Sequence, residues 1–338
     1  MGQTWRSAMP QPVVSIIIPA YNVGNFLQHT LLSVQNQTWK DFEVICINDG
    51  SSDDSLEIIK KFTKSDKRFK IINKKNEGVS SARNDGMKMA QGKYIMFLDG
   101  DDYLHPYAIA TALEAIARSG ADVCRFGYKK VAIDEKIECK PIAKGEYFKV
   151  INQPELEYIR ERPSADVYIW DKIYKSDVAK KFSFFPIQPG ENDIYSLQVL
   201  LNIKRYVVIE SCLIYNVQHE QSIMHNTQSE QWIKNRFTQE KIFTNILTEY
   251  LKEYPRSYLK KTVDKYRLES ERRMIKNFLI TPIRKGADDV TILQNYNLYK
   301  QRIEEGNCYL PAIKLKYKII LKLLEKQRFK VARLLSWL

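Results

Sequence analysis

Three carboxylates crowd four positions at Asp99, Asp101 and Asp102, directly after the apolar run "YIMFL" (94–98). Neighbouring carboxylates repel, so unless this loop simply frays into solvent the cluster needs a compensating cation. Asp99 and Asp101 stand at i and i+2, and Gly100 between them offers backbone freedom for a turn. One carboxylate can then bind a divalent ion while the other orients a hydroxyl or a bound water. Histidines number only four and no CxxC pair occurs, so carboxylates dominate the ligand supply and favour Mg2+ or Mn2+. Such ions take one or two carboxylates and complete their shell with water and phosphate oxygens, which makes a diphosphate the natural companion.

The elements that must position this cluster alternate two periodicities. "VVSIII" (13–18), "FEVICI" (42–47), "FKII" (69–72) and "YIMFL" read as short strands buried on both faces. Between them, 24–37, 53–66 and 78–92 carry apolar residues at helical spacing, with Asp53 or Ser55 as a cap for the second. Strands alternating with helices imply right-handed βαβ units and an α/β fold with a mainly parallel central sheet. A fifth strand is expected at 121–128, and strand-like runs recur at 204–210 and 212–217.

In such sheets ligands sit beyond the carboxyl ends of the strands. Here those ends carry Pro19, Tyr21 and Asn22; Asn48, Asp49 and Ser51; Asn76 and Glu77 with Arg83 beyond; and the Asp cluster. Each of the first three, alone, reads as a turn, a cap or a solvated helix residue. Their convergence on one rim is the stronger signal.

Bulk properties narrow the classes. No apolar run reaches the ~18–20 residues of a membrane span, and the first residues lack the apolar stretch of a secretory signal. Five scattered cysteines fit a reducing, cytoplasmic setting better than a disulfide framework. The net charge of +13 is uneven: residues 226–338 hold 24 Lys/Arg against 12 Asp/Glu, whereas 1–225 are almost balanced. Nucleic-acid binding would rest on that tail alone, which contains no recognisable module, so no nucleic-acid partner is expected.

As a set, "SIIIPAYN", "VICINDGSSDDS", "NEGVSSARNDGMKMAQGKYIMFLDGDD" and "PGENDIYSL" resemble the inverting, metal-dependent glycosyltransferases of family 2, which have the GT-A fold and include bacterial surface-polysaccharide enzymes. The resemblance covers about 13–225. It implies a nucleotide-sugar donor, probed first as UDP-linked, and a glycan or lipid-linked acceptor. It puts Pro19 and Tyr21 against the nucleobase, Asp49 on its imide N–H, Arg83 near the nucleotide, Asp99 near the ribose, and Asp101 on the Mn2+ or Mg2+ at the diphosphate. Asp102 falls on the sugar side.

Family members usually carry Glu-Asp where this chain reads "GENDIY". The alignment makes Asp193 the general base, with Asn192 in the usual Glu position and Glu191 one step earlier as helper or alternative base. Asp193 also suits a helix start. "YIWDKIYKS" resembles the acceptor-side segment, where Trp170 would stack on a sugar or belong to the core. "YNVQHEQSIMH" resembles the closing motif and implies that His219 reaches the diphosphate or metal; a surface histidine is the plain alternative. A phosphatase of the haloacid dehalogenase type also ends a strand in DxD, but Tyr103 stands where it wants Thr or Val. A non-catalytic nucleotide-sugar binder is the other rival, motivated by Asn192.

The expected division is an extension at 1–12, a GT-A domain at 13–225 and a basic, mainly helical region at 226–338, with Pro255, Pro282 and Pro311 as breaks. Lys314, Lys318, Lys322, Lys326 and Lys330 recur every fourth position, and Ile313, Tyr317, Ile320, Leu324, Val331 and Leu335 line another face. A basic amphipathic helix of this kind either lies on the inner leaflet of the plasma membrane or packs on the protein.

Overall fold

The short β-branched runs of the first hundred residues become four adjacent strands. The structure, a computed structural model, describes residues 12–132, 148–152, 168–219, 230–255, 257–304 and 315–337. β1 (Val14–Ala20), β2 (Phe42–Asp49), β3 (Phe69–Lys74) and β4 (Tyr94–Phe97) lie in the order β3-β2-β1-β4, every pair parallel. β1, β2 and β4 are buried along their whole length. α1 (Gly24–Gln35), α2 (Ser55–Ser65) and α3 (Val79–Met89) form the crossovers.

Beyond β4 the pairing becomes mixed. β5 (Tyr103–Leu104), α4 (Ala108–Ser119), β6 (Val123–Ala132), β7 (Phe148–Asn152), β8 (Lys172–Lys175) and β9 (Arg205–Gln218) follow. β8 inserts antiparallel between β4 and β6, β9 runs parallel to β6, and β5 and β7 pair antiparallel with β9. The described residues thus form one sheet of nine strands. The runs at 204–210 and 212–217 are a single strand, because the register shifts around Gly127 of β6 let β9 continue through the irregularity. β8 escaped the sequence pattern because its first residue is a buried lysine, Lys172.

The chain divides into two compact units. The sheet unit takes the described residues up to His219 except 187–190, and the helical unit takes 187–190 and those from Glu230 onward. In the helical unit, the helices Glu230–Glu253 and Ser257–Ile275 flank Pro255 as expected. Pro282 does not interrupt: a π-helical turn, Lys276–Ile280, runs straight into Thr281–Arg284, and the proline falls in the first turn of that segment. An interior proline removes one backbone donor, and the wider π turn directly before it is where the helix departs from α geometry.

The C-terminal segment is not one amphipathic helix. Gln327, at φ 52, separates Leu315–Glu325 from Phe329–Trp337. Ile320, Leu324 and Ala332 are fully buried in a cluster with Ile275, Leu279 and Tyr299, while Val331, assigned to the apolar face, is exposed. The apolar stripe is therefore spent on this unit's own core, as in the packing alternative. Ile313 and Lys314 lie outside the described residues, as does Pro311. Among the described residues no helix is long and apolar enough to cross a membrane.

Candidate active site

The carboxylate loop is fixed from three directions. The amide of Leu98 makes the last ladder bond, to the Ile17 carbonyl at 3.0 Å, and Asp102 N–H then turns back to the Asp99 carbonyl at 3.2 Å. Thr30 Oγ1 donates to the Gly100 carbonyl at 2.9 Å. Gly100 is tightly enclosed rather than in an unusual turn: it has no positive φ, but a Cβ there would lie 3.0 Å from Val23 Cγ2 and 3.1 Å from the Pro19 carbonyl oxygen.

Asp102 is fully buried and fastens this loop to β9. Its carboxylate accepts the Val217 N–H at 3.0 Å and the Asn216 side-chain amide at 3.0 Å. Asp102, expected on the sugar side, turns inward instead, with both carboxylate oxygens hydrogen-bonded to β9. Its consequence is the placement of His219, just beyond β9, whose Nε2 lies 2.8 Å from Asp101 Oδ2. The His219 ring stacks on Phe26 of α1, centroids 4.3 Å apart. Burial and then the Asp99 charge push the Asp101 carboxyl up, against the opposing pull of His219. Asp102 is pushed up well beyond the usual carboxylate range by burial, then by Asp101 and Asp99.

Asp101 and His219 are oxygen and nitrogen donors of the kinds that divalent cations take. Among the described residues no three His, Cys, Asp or Glu side chains group to hold an ion by themselves. Asp101 and His219 supply two such groups side by side, hydrogen-bonded to each other at 2.8 Å, and a cation would have to replace the proton between them. Asp99 stands beside them, itself paired with Arg83, and phosphate oxygens and water would complete the shell.

The nucleotide side of the rim is a set of cross-tied loops. Asn22, in the left-handed region at φ 53, accepts from Ser52 N–H at 2.8 Å, and Asp53 accepts from Gly24 N–H at 2.8 Å. Tyr21 is half exposed and so is available to a planar ligand. Pro19 is buried within β1, opposite Ile47. Asp49 is buried and holds the loop before α3, accepting from Glu77 N–H at 3.0 Å and Gly78 N–H at 2.8 Å. Each oxygen retains a second lone pair, so this structural duty leaves room for one more donor.

Arg83, 3 % exposed, links the two halves of the site. Its Nη2 donates to Asp99 Oδ1 at 2.9 Å, and its Nη1 donates to Asn192 Oδ1 at 2.9 Å with Glu191 Oε1 at 3.4 Å. Glu191 and Asp193 open the helix Glu191–Leu200, where a helix N-terminus favours acidic groups. Burial raises the Glu191 carboxyl, the Arg83 charge pulls the other way, and Asp193 adds a smaller push upward. Glu191 is therefore committed to Arg83, while Asp193 is only partly buried. The Tyr168 hydroxyl feels Asp193 as well: burial, then Tyr128, Asp171 and Asp193 raise it.

Trp170 is a core residue. It is 6 % exposed, stacked on Tyr168 with centroids 4.7 Å apart and edge-on to Tyr128 at 5.0 Å, so it presents no face for a sugar. Sequence reasoning missed Asn216 and Phe26. Asn216 had a signal, a polar residue inside the apolar run "CLIYNV"; Phe26 had none beyond helical spacing.

The parallel half-sheet carries an acidic loop at its rim, and an acidic helix start is tied to that loop, an α/β arrangement of the GT-A kind. Residues 15–163 match the model for glycosyl transferase family 2. An uncharacterized glycosyltransferase of Haemophilus influenzae is 34% identical over 182 residues, covering 51% of this chain and 71% of that protein. EpsJ of Bacillus subtilis, an uncharacterized glycosyltransferase, is 31% identical over 208 residues, and the match spans 60% of each chain. Among solved structures, S. aureus TarS 1–349 in complex with UDP-GlcNAc superposes with a TM-score of 0.70 at 19% identity, over 96% of this chain and 90% of that one. The chain belongs to glycosyltransferase family 2. It spans less than two thirds of the length of EpsJ.

Proposed function

We propose that the protein transfers a sugar from a nucleotide-sugar, UDP-linked as in the ligand of its TarS neighbour, to a hydroxyl of a glycan or lipid-linked acceptor in surface-polysaccharide synthesis, with inversion at the anomeric carbon. The observation that carries this reading is the Arg83 bridge, which ties the Asp99–Asp101 loop to the helix start bearing Asp193.

In this reading Asp193 removes the proton from the acceptor hydroxyl as its oxygen attacks the anomeric carbon from the face opposite the diphosphate. Glu191 is unsuited to that task, because it is buried against Arg83. Tyr21 and Asp49 hold the base, and Asp99 orients the ribose. Asp101 and His219 would hold Mn2+ or Mg2+, which supplies Lewis-acid neutralisation of the departing diphosphate. Any contact with the inner leaflet would use the exposed Lys318, Lys322, Lys326 and Lys330, since Ile320 and Leu324 are buried.

A panel of nucleotide-sugars incubated with Mn2+ tests the function through nucleoside diphosphate release. Release from one or a few donors, lost in Asp193→Asn, is expected. Donor binding without turnover across donors and acceptors would favour a non-catalytic binder, and phosphate release from small phosphoesters a phosphatase.

A further inference from the structure

Behind Arg83 lies a bracket that the chemistry above does not use. Asn84 Nδ2 donates to the Phe184 carbonyl at 3.0 Å, and the Phe184 N–H donates to Asn84 Oδ1 at 2.8 Å. One side-chain amide thus makes the reciprocal exchange that a neighbouring strand would make, across 100 positions of chain.

The residue so fixed touches three parts of the site. The Phe184 ring, 2 % exposed, stacks on Tyr195 with centroids 4.1 Å apart and planes 10° apart. It meets Phe97 edge-on at 5.2 Å, and the Arg83 guanidinium stands over it at 5.4 Å. Tyr195 follows Asp193 by two positions in one helix, and Phe97 precedes Asp99 by two. Tyr195 is itself anchored, its hydroxyl donating to the Ala179 carbonyl at 3.0 Å. Among the described residues Arg83 Nε is buried without a hydrogen-bond partner, so the guanidinium is held by its two Nη groups and by the ring beneath it.

We propose that Asn84 is a positioning residue for sugar transfer: by pinning Phe184 it sets Arg83, and with it the placement of the Asp193 helix relative to the Asp99–Asp101 loop. This rests on the transfer reading above. Apolar packing alone would tolerate any side chain at position 84 that fills the space, whereas the bracket needs both a donor and an acceptor.

The test compares Asn84→Ala and Asn84→Asp with wild type, the latter keeping the acceptor for Phe184 N–H while losing the donor. UDP with Mn2+ is titrated to count binding sites and give Kd, and nucleoside diphosphate release from the nucleotide-sugar panel gives kcat. Expected is at least a tenfold fall in kcat per UDP-binding site in Asn84→Ala, an intermediate fall in Asn84→Asp, and a Kd for UDP within twofold of wild type. Simple loss of folded protein would lower UDP sites and rate together; turnover per site then stays at the wild-type value, which overturns the proposal. Wild type that turns over no donor contradicts the transfer reading instead. The bracket is then judged by the crystal structure of Asn84→Ala: Arg83 displaced from Asn192 supports it, and Arg83 still bonded to both Asp99 and Asn192 overturns it.

Discussion

Arg83 and Asn192 stand 109 positions apart in the chain, yet the guanidinium donates to the Asn192 amide oxygen at 2.9 Å. The resemblance to family 2 puts Glu in that position, so the neutral Asn192 looked like a weakness. The structure gives a physical answer. Asn192 keeps the hydrogen-bond acceptor, and Glu191 one step earlier supplies the buried negative charge at 3.4 Å from the same nitrogen.

Removing the hub should therefore cost both stability and turnover. Arg83→Met leaves Glu191 buried without its cation, and breaking a buried pair from one side costs about 3–5 kcal/mol. Urea denaturation should show that loss. Arg83→Lys, with one compact ammonium instead of a fork, should recover part of the stability but little activity.

Asp193 and Asp101 should fail in different ways. Asp193→Asn should lower turnover by about 10²–10⁴-fold, as loss of a general base does, with UDP affinity unchanged. Asp101→Asn should lose the Mn2+-dependent part of UDP affinity. Calorimetry separates them, and full Mn2+-dependent affinity in Asp101→Asn would contradict the metal assignment.

Gly50 sits at φ 74, and a Cβ there would approach Asn76 N to 2.7 Å. Gly50→Ala pairs an unfavourable backbone conformation with a clash against backbone, each of order 1 kcal/mol or more. The melting temperature should fall by several degrees, and UDP binding should weaken because the Asp49 turn moves with it.

How much of this was legible beforehand differs by element. Strands buried on both faces announce themselves, so β1, β2 and β4 were read within a residue or two, and the polar residues at their ends marked the rim. What the sequence could not reveal is which polar side chain faces inward. Asp101 and Asp102 are chemically alike and adjacent, yet one approaches His219 and the other is consumed by β9. Trp170 was equally ambiguous, because stacking on a sugar and stacking on Tyr168 need the same residue. The long reach from Asn84 to Phe184 left no local pattern at all.

An acid-stability prediction concerns Asp66, whose carboxyl is pulled down to about 2 chiefly by the hydrogen bonds from Arg68, against burial. The ordinary value is 3.8, so the folded state holds the charged form more tightly than the unfolded chain does. That contribution, about 2 kcal/mol, is complete above about pH 5 and lost as pH falls through 4 toward 2. Arg68→Ala should be less stable than wild type near neutral pH, and the difference should shrink through this window in pH-dependent denaturation.

The stereochemistry of transfer tests the single displacement at Asp193 most directly. NMR of the first-formed product should give an anomeric configuration opposite to that of the donor sugar. Retention of the donor configuration would contradict the account, because attack from the face opposite the departing diphosphate must invert the anomeric carbon.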